Sequence, residues 1–209
     1  MEKVKKPFKI INKSLLMIFV FLFIAIAFVG IYCKKLYNSE HKSEAINQIK
    51  NIISYRTDVE IIVKNSKQDL SYKGKEVFIG DRGSKLSLDK NTYILKNGTL
   101  LVRDNNSMEY YASEDADIYK LCFLDEYKKY LYLDTELHND LKSYKGRQCD
   151  TIRFELSGNN KNLKNACIYY DIENKVPMEI KIFNHEDKET LSIKYDKFET
   201  NIKIDDKEF

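Results

Sequence analysis

Leu15 to Cys33 is a run of nineteen residues without a single charge, and nearly all of them are bulky and apolar. At ~1.5 Å of rise per residue, a helix over this run is roughly 28 Å long, close to the hydrocarbon thickness of a bilayer. A helix buried in a soluble core would carry a polar face, and this one has none. Lys3, Lys5, Lys6, Lys9 and Lys13 precede it against Glu2, and only Lys34 and Lys35 follow directly. That bias keeps the N-terminus in the cytoplasm and exports what lies beyond. The expected organisation is a cytoplasmic basic tail over 1–14, a transmembrane anchor over 15–33 and an extracytoplasmic domain over 36–209. The expected location is the cell membrane, crossed once.

Two kinds of processing compete with a retained anchor. A cleaved secretory signal has a shorter apolar region of ~7–15 residues and small residues at the cut. Here the run ends in Ile31-Tyr32-Cys33. Cys33 stands where a lipoprotein signal places its lipidated cysteine, but Tyr32 fills a position where a lipobox wants a small residue. Cys33 is thus a possible lipidation site, and the retained helix is the first expectation.

The chain beyond the anchor, about 175 residues, suffices for one domain with a real core. The 35 basic and 32 acidic residues come close to balance once the five early lysines and Glu2 are set aside. The net excess therefore belongs to the anchor's flank. Nucleic-acid binding, which needs a basic face on the folded domain, is not indicated.

From about 38 to 53 an apolar stripe of Ala45, Ile46, Ile49, Ile52 and Ile53 predicts a helix, with Asn38 or Ser39 as its cap. At Ser54 the period falls from 3.6 to 2. Tyr55, Thr57, Val59, Ile61 and Val63 share one face and mostly charged residues the other, as in a half-buried antiparallel strand. Similar segments cover 70–79, 85–88, 92–96, 99–103 and 108–111. Connections such as Lys96-Asn97-Gly98 carry hairpin chemistry. A helix is expected from Ser113 to about Leu133, where Ile118, Leu121, Leu124, Tyr127 and Leu131 recur at helical spacing. Strands then resume over 148–156, 166–172, 176–183 and 189–198, with a last short piece ending at Phe209. The fold class is α+β: about ten strands in one large curved antiparallel sheet, with a central helix.

Catalytic chemistry finds little support. There is no nucleophile elbow, and seven glycines leave no phosphate-cradling loop. His41, His138 and His185 have no histidine or cysteine at i+3 or i+4, so no catalytic, metal or cofactor site is expected. Cys149 and Cys167 flank Gly158 at equal distance; a hairpin turning there would set them opposite each other, a possible disulfide in an oxidising compartment. The alternative is that both are small residues buried on sheet faces. Tyr110-Tyr111 and the aromatics from Tyr127 to Tyr132 are core, the lining of a ligand groove or a partner surface.

The C-terminal third carries a resemblance. Ile168-Tyr169-Tyr170-Asp171-Ile172-Glu173-Asn174-Lys175-Val176-Pro177, continuing to Phe183, reads as strand, tight turn, proline and strand. It resembles a pattern of LolA-like lipoprotein carriers, as do Tyr195 to Phe209 and the paired opening strands Tyr55 to Lys64 and Tyr72 to Phe78. Within that family the GerS type of clostridial spore germination lipoprotein is most similar. The resemblance implies an incomplete barrel with helices packed on its concave side. It further implies a non-catalytic envelope protein that binds a peptidoglycan amidase and permits spore cortex modification and germination. The other role the family implies is a lipid or lipoprotein carrier that holds acyl chains in the concave sheet.

Overall fold

The computed structural model describes residues 21–31, 44–65, 67–112, 116–133, 137–205 and 207–208. It comprises two compact units, Met1–Glu40 and His41–Phe209. In the first, residues 21–31 form helix α1, apolar on all sides. Its Phe21, Phe23 and Phe28 are 71%, 76% and 69% exposed. The remainder of the expected span, 15–20 and 32–33, and the basic tail lie outside the described residues. Among the described residues no helix is long and apolar enough to cross a membrane.

The second unit is built on eleven antiparallel strands: β1 (Ser54–Lys64), β2 (Asp69–Ile79), β3 (Gly83–Leu88), β4 (Asn91–Lys96), β5 (Thr99–Asp104), β6 (Tyr110–Ala112), β7 (His138–Tyr144), β8 (Arg147–Glu155), β9 (Asn165–Asp171), β10 (Val176–Phe183) and β11 (Glu189–Thr200). Their spatial order is β6-β5-β4-β3-β2-β1-β11-β10-β9-β8-β7. Two meanders therefore meet at a seam between β1 and β11, where Ile61 faces Ile193 and Val63 faces Leu191. The alternation in β1 turns Tyr55, Thr57, Val59 and Ile61 inward, as its period requires. Asn97-Gly98 and Lys145-Gly146 close their hairpins with two successive positive φ angles, the backbone that matches strand twist.

Among the described residues three helices accompany this sheet: α2 (residues 44–50), α3 (Ala116–Lys120) and α4 (Leu124–Tyr132). Ala45 and Ile49 of α2 and Leu124, Tyr127, Tyr130 and Leu131 of α4 join the strands' inward residues in one core. Tyr130 stacks on Phe154 with centroids 5.3 Å apart. This is the open sheet with helices on its concave side that the LolA-like resemblance implies.

Three expectations need correction. The single helix from Ser113 to Leu133 is two helices broken at Leu121-Cys122-Phe123, because Leu121, Cys122, Phe123 and Leu124 are all buried. Four successive residues cannot share one side of a continuous helix. The stretch before Gln148 holds an additional strand, β7. At the other end, residues 201–205 are not a strand; Asn201 instead accepts the Ile53 amide at 2.9 Å through its side chain, and Glu208 pairs with Arg56 at 2.9 Å.

Candidate functional site

The helices share one core with the sheet's inward residues, and an open groove of about 630 Å³ lies between β1–β4 and α3. Its floor is made by Ile61, Val63, Leu86, Leu88, Tyr93 and Leu191, and its helical wall by Ile118, Tyr119 and Cys122. Period 2 sends these strand residues inward, and the α3–α4 break turns Cys122 toward them. Around the mouth four large apolar side chains stay in solvent: Leu70 (36% exposed), Tyr72 (45%), Ile118 (41%) and Tyr119 (38%). Tyr119 stacks on Tyr93 at 5.0 Å, which stiffens one wall. Burial pushes the Cys122 thiol up to about 12, so it is inert as a nucleophile near neutrality. An apolar, aromatic-rimmed groove binds apolar surface, and Lys73, Asp89 and Lys90 add charge to its lining.

A larger cleft, about 990 Å³, is polar and lined by residues including Asp58, Glu60, Lys73, Arg147, Lys194 and Lys197. Two of its carboxylates, Asp58 and Glu60, are already committed. Lys197 donates to Asp58 at 2.9 Å and Lys194 to Glu60 at 2.8 Å, and these bonds hold both carboxyls below their ordinary values. Paired carboxylates held ionised are poor general bases at neutral pH. The apolar groove is therefore the better candidate, although it is the smaller.

Beside the groove lies a buried carboxyl. Glu76 of β2 is fully enclosed. Its Oε1 accepts the Tyr55 hydroxyl at 2.5 Å and the Leu124 amide at 3.1 Å. Phe123 stands at the N-cap of α4 and supplies no side-chain cap, so Glu76 caps that helix from the sheet. Oε2 is buried without a hydrogen-bond partner, as is the Tyr195 hydroxyl. Burial raises the Glu76 pKa to about 8, aided by Asp125, while the Tyr55 and Leu124 bonds pull the other way. At neutral pH the group carries its proton.

The possible disulfide is not formed: Cys149 and Cys167 are both buried and free. The β8–β9 ladder sets Cys149 opposite Asp171 and Cys167 opposite Arg153, so the hairpin is centred beyond Gly158. The two cysteines sit four ladder positions apart, ~13 Å at strand rise, too far to bond. Cys149 instead contacts the Met178 sulfur at 3.5 Å. Cys33 and His41 lie outside the described residues. His138 is exposed on β7, and His185 lies in an exposed turn with Nδ1 3.3 Å from the Lys161 carbonyl. Among the described residues no three potential metal ligands gather. Of the tyrosines singled out, Tyr127 and Tyr130 are core, whereas Tyr110 and Tyr111 are exposed at the sheet's edge. Asp171, part of the family-like motif, is fully buried. It accepts the amides of Glu173 and Asn174 at 3.0 Å, Asn174 Nδ2 at 2.7 Å and Arg147 at 2.8 Å, so it shapes the turn.

Sequence reasoning passed over Glu76 and the groove wall. The signal for Glu76 was there in the parity of β2, which aligns it with Tyr72 and Phe78 on the inward face. The groove had no comparable signal, because it depends on where α3 stops.

The family described as "Sporulation protein YdcC-like" matches residues 12–209. No curated protein matches the chain. Among solved structures, an uncharacterized conserved protein from Thermus thermophilus is similar, at 6% identity over 78% of this chain and 88% of that one, with a TM-score of 0.50. The structure of the CwlD amidase in complex with the GerS lipoprotein from Clostridioides difficile matches at 16% identity, over 79% and 94%, with a TM-score of 0.45. A LolA superfamily protein from Nitrosomonas europaea matches at 8% identity, over 79% and 95%, with a TM-score of 0.40.

Proposed function

The chain belongs to the family of YdcC-like sporulation proteins, and on that premise we propose that it is a non-catalytic, membrane-tethered binding protein of the cell envelope that acts in sporulation by holding a protein partner. The observation that carries this reading is the groove, where Leu70, Tyr72, Ile118 and Tyr119 remain exposed around an apolar floor. Aromatic anchors around a desolvated pocket are what protein interfaces use as hot spots. The partner to test first is a spore cortex peptidoglycan amidase, which the GerS-type resemblance of Ile168–Phe183 and Tyr195–Phe209 implies. By binding the active conformation preferentially, the domain would raise its population.

Purified full-length protein in detergent micelles, titrated with that amidase by calorimetry, tests the reading. Saturable binding that Tyr72→Ala and Tyr119→Ala together weaken at least tenfold is the expected result. Absence of binding, or affinity untouched by the double variant, counts against it.

Tethering is supported by α1, whose large apolar side chains are exposed, and by a family match that begins at residue 12 and so takes in the apolar run. Intact mass of membrane-extracted protein distinguishes a retained helix from a form cleaved before Cys33 and lipidated there. A second reading, carriage of a lipid or lipoprotein acyl chain, is favoured by the apolar lining of the same groove. Mass spectrometry of organic extracts would find a stoichiometric lipid if that reading is right.

A further inference from the structure

The two ends of the α3–α4 pair are held differently. At the far end Lys128 donates to the Ile52 carbonyl at 2.8 Å, the Tyr132 hydroxyl to the Lys50 carbonyl at 3.2 Å, and the Ser157 amide to the Tyr130 hydroxyl at 3.3 Å. At the near end, where α3 walls the groove, the polar tie to β2 is the Leu124 amide on Glu76. We propose that Glu76 is a proton-operated latch on the groove: with its proton it seats the start of α4, and without it that end lifts, swinging Ile118, Tyr119 and Cys122 away from the groove while the far end stays tied.

Around Glu76 the Tyr55 hydroxyl and the Leu124 amide favour a charge, but burial outweighs them and no cation is among the groups that face it. Facing it are Tyr55 from β1, Tyr195 from β11, Asp125 and Tyr127 from α4, and Cys122 from the link, all neutral or negative. Lys128 is engaged by Asp125 at 3.8 Å, the Ile52 carbonyl and the Phe78 ring. The orphaned Oε2 and Tyr195 hydroxyl mark the spot where an ionised carboxylate would lack solvation. Because the seated group keeps its proton to about pH 8 and an exposed glutamate loses it near ~4.3, opening grows with pH. One proton linked to one opening gives about a tenfold change in the open-to-seated ratio per pH unit across that window, and none above it. The latch works the same way whichever occupant the groove takes.

Hydrogen exchange of the full chain in detergent micelles, from pH 5 to 9 and corrected for intrinsic exchange, tests the latch. The expected result is protection over 118–128 that falls about tenfold per pH unit up to about 8 and then levels. The β8–β10 amides, which open with the whole domain, should stay better protected than 118–128 at every pH, and Glu76→Gln, which keeps the amide contact without titrating, should be flat throughout. An unchanged slope in Glu76→Gln, protection over 118–128 no lower than in the β8–β10 amides, or a flat wild type overturns the proposal. Should Glu76→Gln fail to fold, carbon NMR of the wild-type Glu76 carboxyl decides: titration near pH 8 upholds the latch, and titration in the ordinary carboxylate range removes it.

Discussion

Asp171 and Glu76 are both fully buried carboxyls, yet their surroundings drive them in opposite directions. Burial pushes both up. At Asp171 the Asn174 side chain and amide, Arg147 and the Glu173 amide outweigh burial, and its pKa ends below the ordinary value. Its contribution to stability is therefore complete above the unfolded value of ~3.9 and is lost as pH falls through the lower folded value. Glu76 works with the opposite sign, its contribution fading as pH rises toward about 8. Removing the Asp171 carboxylate leaves the part-buried Glu173 and Asn174 amides and Arg147 without their acceptor, so Asp171→Ala should cost about 1–3 kcal/mol in urea unfolding at pH 7. Asp171→Asn should flatten the loss of stability below about pH 4. At this scale the sequence was partly legible. Parity puts Glu76 inside, and the run from Asp171 to Pro177 reads as a turn. The separation of Cys149 and Cys167 was hidden, because it depends on a register set by the whole β8–β9 connection.

Among the elements, the strongly alternating strands were the most legible, since β1 must bury one face and solvate the other. The edge strand β7 was not. His138-Asn139-Asp140-Leu141-Lys142-Ser143 has no apolar alternation, because an outermost strand buries little, and its charges discourage pairing with another chain. The α3–α4 break is visible only once Leu121 to Leu124 are recognised as four buried neighbours. The tight connection from β2 into β3 is sterically demanding. Gly83 has φ +102°, and a Cβ there would lie 2.2 Å from the Leu95 carbonyl oxygen. Gly83→Ala should lower stability by about 2–4 kcal/mol, through both backbone strain and that collision. Gly158→Ala is the control. Its φ is also positive but nothing lies within 4 Å, so a loss of about 1 kcal/mol is expected. Equal losses by thermal unfolding would mean that space at Gly83 does not matter.

For the whole molecule, the class of sheet was legible from turn chemistry and period, while the strand order was not. Nothing local in β1 says that its second neighbour is β11, since the contacts are long-range: Glu60 with Lys194 is 134 residues apart and Arg56 with Glu199 is 143. Both meanders depend on this seam, so a chain ending at Glu186 leaves β1 and β10 each with an open edge. Such a truncation should show no cooperative thermal transition and should aggregate, as followed by circular dichroism and light scattering; a sharp transition would mean that one meander stands alone. The seam also sets a timetable. A ribosome adding about 5–20 residues per second completes β1 many seconds before β11 emerges. Until then the opening strands have no lasting partner on that side. The fold therefore closes only after β11 is delivered.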